Sequence, residues 1–131
     1  MGERLGRIVL LLMGTVLVLV GLNGLVAPRT LLAPVGILLA EVSALSEARA
    51  TYGGMHLGMG LFFLITGINP GLRTVGLAAA SAFLGGLVFG RMTSAVVDGA
   101  PGNFVGLLMA TELVGAILAL LALLLRPGRA A

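Results

Sequence analysis

Four apolar stretches, each about as long as a helix needs to cross a bilayer, leave this chain little choice of fold. They cover residues 5–27, 49–69, 72–92 and 103–125. Breakers separate them: Pro28, then Asn69-Pro70-Gly71, then a loop through Asp98-Gly99-Ala100-Pro101-Gly102, and finally Arg126-Pro127-Gly128-Arg129. A hydrocarbon core offers no partner to a backbone N–H or C=O, so such stretches close their own hydrogen bonds as helices. Short connections make consecutive helices antiparallel neighbours. The chain is therefore read as an all-α integral membrane protein, one domain over residues 1–131, with four transmembrane helices in an antiparallel bundle.

Composition narrows the function classes. Hydrophobic residues make up 59% and charged residues 10%, against about 25% charge in soluble domains. There is no cysteine, which excludes disulfides, thiolate metal sites and cysteine nucleophiles. There is no tryptophan and one tyrosine, so an aromatic belt is thin. Every basic residue is an arginine, and these stand singly between apolar runs. Without a basic stripe to follow a phosphate backbone, no nucleic-acid partner is expected.

The N-terminal segment is read as a retained span, because cleavage after Ala27 would leave Pro28 at the new terminus. Gly6 stands where myristoylation wants Ser or Thr. Residues 29–40 are apolar but too short to span and are broken by Pro34, which predicts an interfacial or re-entrant segment. Residues 41–47 then form a polar approach to the second helix, with Ser46 as its N-cap and Arg49 in its first turn. Arg4, Arg7, Arg73, Arg126 and Arg129 fall on the side of the termini, and Arg29, Arg49 and Arg91 on the other. That bias predicts cytoplasmic termini. Small residues four apart (Gly54/Gly58, Gly86/Gly90, Gly106/Ala110, Gly115/Ala119) predict close helix packing and leave open a homo-oligomer seam.

The polar residues are the candidates for function. Glu47, Arg49, Tyr52 and His56, the only histidine, lie within ten residues at the mouth of the second span. Arg49, Tyr52, His56 and Met59 fall on one helical face at about 100° per residue. At about 1.5 Å per residue, Asn23 lies roughly 6 Å, His56 about 10 Å and Glu112 about 13 Å inside the outer helix ends. Arg91 is placed at the outer end of the third helix. All four helices thus contribute to the outer half of the slab, and the cytoplasmic half is expected to hold nothing comparable. Glu112, with apolar neighbours and a short side chain, must be held neutral or paired with Arg49, Arg91 or His56.

Glu47-Ala48-Arg49-Ala50-Thr51-Tyr52-Gly53-Gly54, Gly90-Arg91, Asp98-Gly99-Ala100-Pro101 and Glu112-Leu113 resemble, in that order, the bacterial domain of unknown function 4345. The resemblance runs over most of the chain. It implies a small four-helix protein of the bacterial inner membrane, similar in plan to DoxX-like proteins. It implies no activity and assigns no role to His56.

Three readings stand side by side. In the first, Glu47, Arg49, Tyr52, His56, Arg91, Glu112 and Asn23 line an outer-leaflet pocket for a membrane lipid or lipophilic small molecule with a polar head. Glu112 and His56 would be its acid–base pair if it catalyses a reaction. In the second, the same groups form an ion-pair network that only fixes helix packing. In the third, an oligomer relays protons through Glu112 and His56. His56, Met59, Met109 and Glu112 include ligand types for copper(I) or haem, but Met serves more often in packing. No cofactor and no metal site are expected.

Overall fold

The structure is a computed structural model and describes residues 2–125. All regular structure among these residues is helical. Four helical runs, Gly2–Val26, Val42–Ile68, Arg73–Val97 and Asn103–Leu124, are long and apolar enough to cross a membrane. They point to a multi-pass membrane protein. Large apolar side chains such as Leu12, Val26, Phe89 and Val96 are exposed, a surface suited to lipid rather than water.

Helix α1 is Gly2–Val26. It stops at Ala27, whose φ of −132° lies outside the helical region, because a following proline crowds the helical conformation. Pro28 opens α2, Pro28–Leu32, at the position where its missing N–H costs nothing. A 3₁₀ turn, Ala33–Val35, ends at Gly36 with a φ of 77°, a left-handed conformation that favours glycine. The segment expected to be interfacial or re-entrant is thus a short helix and turn. Arg29 Nε donates to the Leu39 carbonyl at 3.1 Å. Leu32, Leu39 and Ala48 form a small core, with Val35, Ala44, Leu45 and Tyr52 packed on it.

Helix α3, Val42–Ala48, runs without a break into a π-helical segment, Arg49–Met55, and then α4, His56–Ile68. Helical structure begins at Val42, not Arg49. Ser46 therefore sits inside α3, and Glu41 takes the N-cap position without a side-chain cap bond. The sequence read as a polar approach is an amphipathic turn: Ala44, Leu45 and Ala48 join the small core while Ser43, Ser46 and Glu47 are exposed. At the next break, Gly71 N–H donates to Asn69 Oδ1 at 2.9 Å. Helix α5, Arg73–Val97, passes the expected end at Met92, and α6 is Asn103–Leu124. The end of α6 at Leu124, with Leu125 as its C-cap, falls within one residue of the expected end; Arg126 and Arg129, part of the orientation argument, and the breaker 126–129 lie outside the described residues.

The chain divides into two compact units, Leu12–Ile65 and Met1–Leu11 with the chain from Thr66 onward. Within Leu12–Ile65, α1 and α4 approach through glycines. A Cβ added at Gly14 would lie 2.9 Å from the Gly60 carbonyl oxygen, and one at Gly21 would lie 2.5 Å from the Leu57 nitrogen. Gly24 meets the Tyr52 backbone, and Gly53 meets Leu25. Partner numbers fall as those of α1 rise, so these facing stretches run in opposite directions. Gly14 and Gly21, like Gly53 and Gly60, are two helical turns apart and share a face. Apart from Gly115, the glycines expected to pack four apart do not make such contacts. A Cβ at Gly58, Gly86, Gly90 or Gly106 meets nothing within 4 Å, and one at Gly54 only the Arg49 oxygen at 3.9 Å. A small residue permits close approach but does not fix which face is approached.

In the other unit, Leu10, Leu77 and Ala80 are fully buried. Gly76 faces Thr66 and Leu10, while Gly115 of α6 sits against Leu84 of α5.

Candidate functional site

Within Leu12–Ile65 the candidates gather on and beside the π-helical segment. A π-turn bonds residues five apart and recurs at functional sites. Here it interrupts the expected helical face, so Arg49, Tyr52 and His56 do not follow a simple row. Gly53-Gly54 lies inside it, where low helix propensity weakens the competing α-helix. The His56 amide donates to the Gly53 carbonyl, and its ring Nδ1–H donates to the Thr51 carbonyl at 2.8 Å. The imidazole thus fastens two positions five residues apart, the spacing of the π-turn. Tyr52 stacks on that ring, with centroids 5.8 Å apart and planes at 20°.

Arg49 is exposed and sends Nε–H to the Leu25 carbonyl at 3.0 Å. Leu25 is in the last turn of α1, where carbonyls lack helical partners and the dipole favours a cation. Glu47 Oε1 accepts from the Thr51 hydroxyl at 3.1 Å. Asn23 is exposed. Arg49 therefore has a main-chain partner on α1 and Glu47 a hydroxyl partner one turn away, and neither is in an ion pair among the described residues.

The second unit holds the charged pair. Arg91 Nε and Nη2 donate to the two Glu112 oxygens at 2.6 and 2.8 Å, a fork-on-fork contact. Of the three partners open to Glu112, the structure selects Arg91. Because α5 continues to Val97, Arg91 lies about 9 Å inside the helix rather than at its end. The side chains are 26% and 14% exposed. Beside the pair is an open hollow of about 170 Å³ lined by Gly90, Arg91, Ser94, Ala95, Pro101 and Val105. Ser94, one of its lining residues, donates its hydroxyl to Asp98 Oδ2 at 2.9 Å. Sequence reading missed Ser94, although its spacing of four from Asp98 on a helix is the available signal.

A second charged pair joins the starts of α1 and α5. Arg73, read as a flanking charge, is 6% exposed. It donates to Glu3 Oε2 at 2.5 Å and to the Gly67 carbonyl at 3.0 Å. Its Nε is buried with no hydrogen-bond partner among the described residues. Glu3 stands in the first turn of α1, where an acid suits the dipole; that position was the signal for a partner. Among the described residues no group of three His, Cys, Asp or Glu gathers as a metal site would require.

The chain belongs to the family described as Domain of unknown function (DUF4345), which matches residues 5–123. No curated protein and no solved structure matches it significantly.

Proposed function

We propose that this member of the family is a multi-pass protein of the bacterial inner membrane, with cytoplasmic termini and four antiparallel spans. The hollow beside Arg91 would seat the polar head of a lipophilic small molecule. The carrying observation is the Arg91–Glu112 fork on two strongly apolar helices, opening on a hollow whose other walls are mostly small or apolar. A charged pair placed in apolar helices is costly and marks function by default. The hollow is smaller than the roughly 300–1,000 Å³ that encloses a drug-sized ligand. A head group would enter while its tail lies along exposed side chains such as Phe89 and Met92.

The test is a mass spectrum of lipids retained by the purified protein and by Gly90→Leu. A Cβ at Gly90 meets nothing within 4 Å and Gly90 lines the hollow, so a leucine there should occupy it. Wild type should carry a stoichiometric amphiphile that folded Gly90→Leu lacks. Equal retention by both, or none by either, rejects the reading.

The alternative is an accessory membrane protein in which the pair only braces α5 against α6. The two-point contact favours it, since such a fork fixes orientation as well as charge. Glu112→Gln would then weaken folding and leave lipid content unchanged.

A further inference from the structure

The charges around the hollow restrict the head group it takes. We infer that the seat beside Arg91 selects an uncharged hydroxyl head, as on a long-chain alcohol, over a carboxylate or phosphate; this rests on the proposed reading of the hollow as a ligand site.

Arg91 is the one cationic side chain in the lining, and both Glu112 oxygens already hold it. Asp98 adds a second carboxylate through its bond with Ser94. An entering anion finds the one cation in the lining already paired with a carboxylate and the wall residue Ser94 bonded to another. Glu112 already balances the guanidinium charge through Nε and Nη2, so an anion on the remaining N–H groups gains little net attraction, and one that displaced Glu112 would leave a carboxylate 14% exposed without its partner. Like charges placed together also strongly suppress binding.

A neutral hydroxyl meets neither obstacle. The Ser94 proton is committed to Asp98, but a hydroxyl oxygen has two acceptor lone pairs. Ser94 Oγ therefore suits a head that donates, which an alcohol does and a ketone or ester does not. Gly90, Ala95, Pro101 and Val105 offer no polar side-chain group to compete. About 170 Å³ accommodates a hydroxyl and its first carbons, given that one water occupies about 30 Å³ of liquid.

The experiment uses the full chain in neutral-lipid nanodiscs, with a nitroxide-labelled fatty alcohol and the fatty acid of equal chain length at a pH where the acid is ionised. The immobilised fraction of each probe is read by spin resonance. Wild type should hold the alcohol about tenfold more tightly, the effect of one modest interaction. Ser94→Ala should reduce that advantage by weakening the alcohol alone. Glu112→Gln should reverse the preference. Asp98→Asn should reduce it without touching the ion pair, and so covers the case in which Glu112→Gln does not fold. An acid held as tightly as the alcohol overturns this inference and leaves the hollow a ligand site. Neither probe immobilised by wild type overturns both.

Discussion

The two units use their nitrogen-donor side chains differently. Within Leu12–Ile65, three of them donate to main-chain carbonyls: Arg29 to Leu39, Arg49 to Leu25 and His56 to Thr51. In the other unit, Arg73 and Arg91 face the carboxylates of Glu3 and Glu112. A carbonyl carries a partial charge, and losing one donor to it costs about 1 kcal/mol. A carboxylate carries a full charge, and stranding it where water is scarce costs about 3–5 kcal/mol. Arg49 is accounted for by the helix end it caps. The Arg91–Glu112 pair caps nothing, since it joins the flanks of α5 and α6 beside a hollow. That contrast is why the functional proposal rests on Arg91 and not on the denser cluster around His56.

The sharpest way to break the contrast is a double-mutant cycle on Arg91 and Glu112, read by unfolding in detergent. Arg91→Ala should cost about 3 kcal/mol or more by leaving Glu112 unpaired. Arg91→Met with Glu112→Leu should recover most of the loss, because no charge is stranded. Arg91→Lys should fall between, since an ammonium cannot reproduce the fork. Singles that add up to the double would place this pair with the carbonyl caps and remove the difference between the regions.

A second comparison tests packing within the units. Gly21→Ala puts a methyl 2.5 Å from the Leu57 backbone nitrogen, so it should destabilise by about 1–3 kcal/mol, as overpacking does. Gly86→Ala meets nothing within 4 Å and should be neutral or add up to about 1 kcal/mol through helix propensity. If Gly86→Ala is the damaging change, the spacing of four and not seven carries the packing.

The same two comparisons show what was legible in the sequence. Length and apolarity announced the four helical runs, and Pro28 and Asn69-Pro70-Gly71 marked their ends, because breakers act locally. Glu112 was legible as a buried acid in need of a partner, since that follows from its surroundings alone. Its choice of Arg91 was not, because it depends on the register of α5 on α6. The π-helical turn escaped for a related reason: α-periodicity was assumed across Gly53-Gly54, the dipeptide least able to enforce it. Arg73 was misread because a basic residue beside a turn is usually solvated. Its burial against Glu3 is set by contacts distant in sequence. Ser94 lacked any charge to draw notice, and its meaning comes from the hollow it lines.

The smallest expected effects belong to the carbonyl-bonded set, and there the chain supplies its own probe. Tyr52 is the one tyrosine and no tryptophan is present, so intrinsic emission reports a single site, stacked on the His56 ring. His56→Ala removes both the stacking partner and the donor to the Thr51 carbonyl. Stability should fall by about 1 kcal/mol, as for one hydrogen bond, and Tyr52 emission should change with it. His56→Gln retains a donor without the ring, so it should restore part of the stability while emission stays altered. Arg49→Gln should cost no more than His56→Ala and leave emission unchanged, because Arg49 ties to α1 through Leu25 and not to the Tyr52–His56 stack. If His56→Ala leaves both stability and emission as they were, the imidazole does not hold the π-turn, and the turn is then maintained by the backbone around Gly53-Gly54 alone.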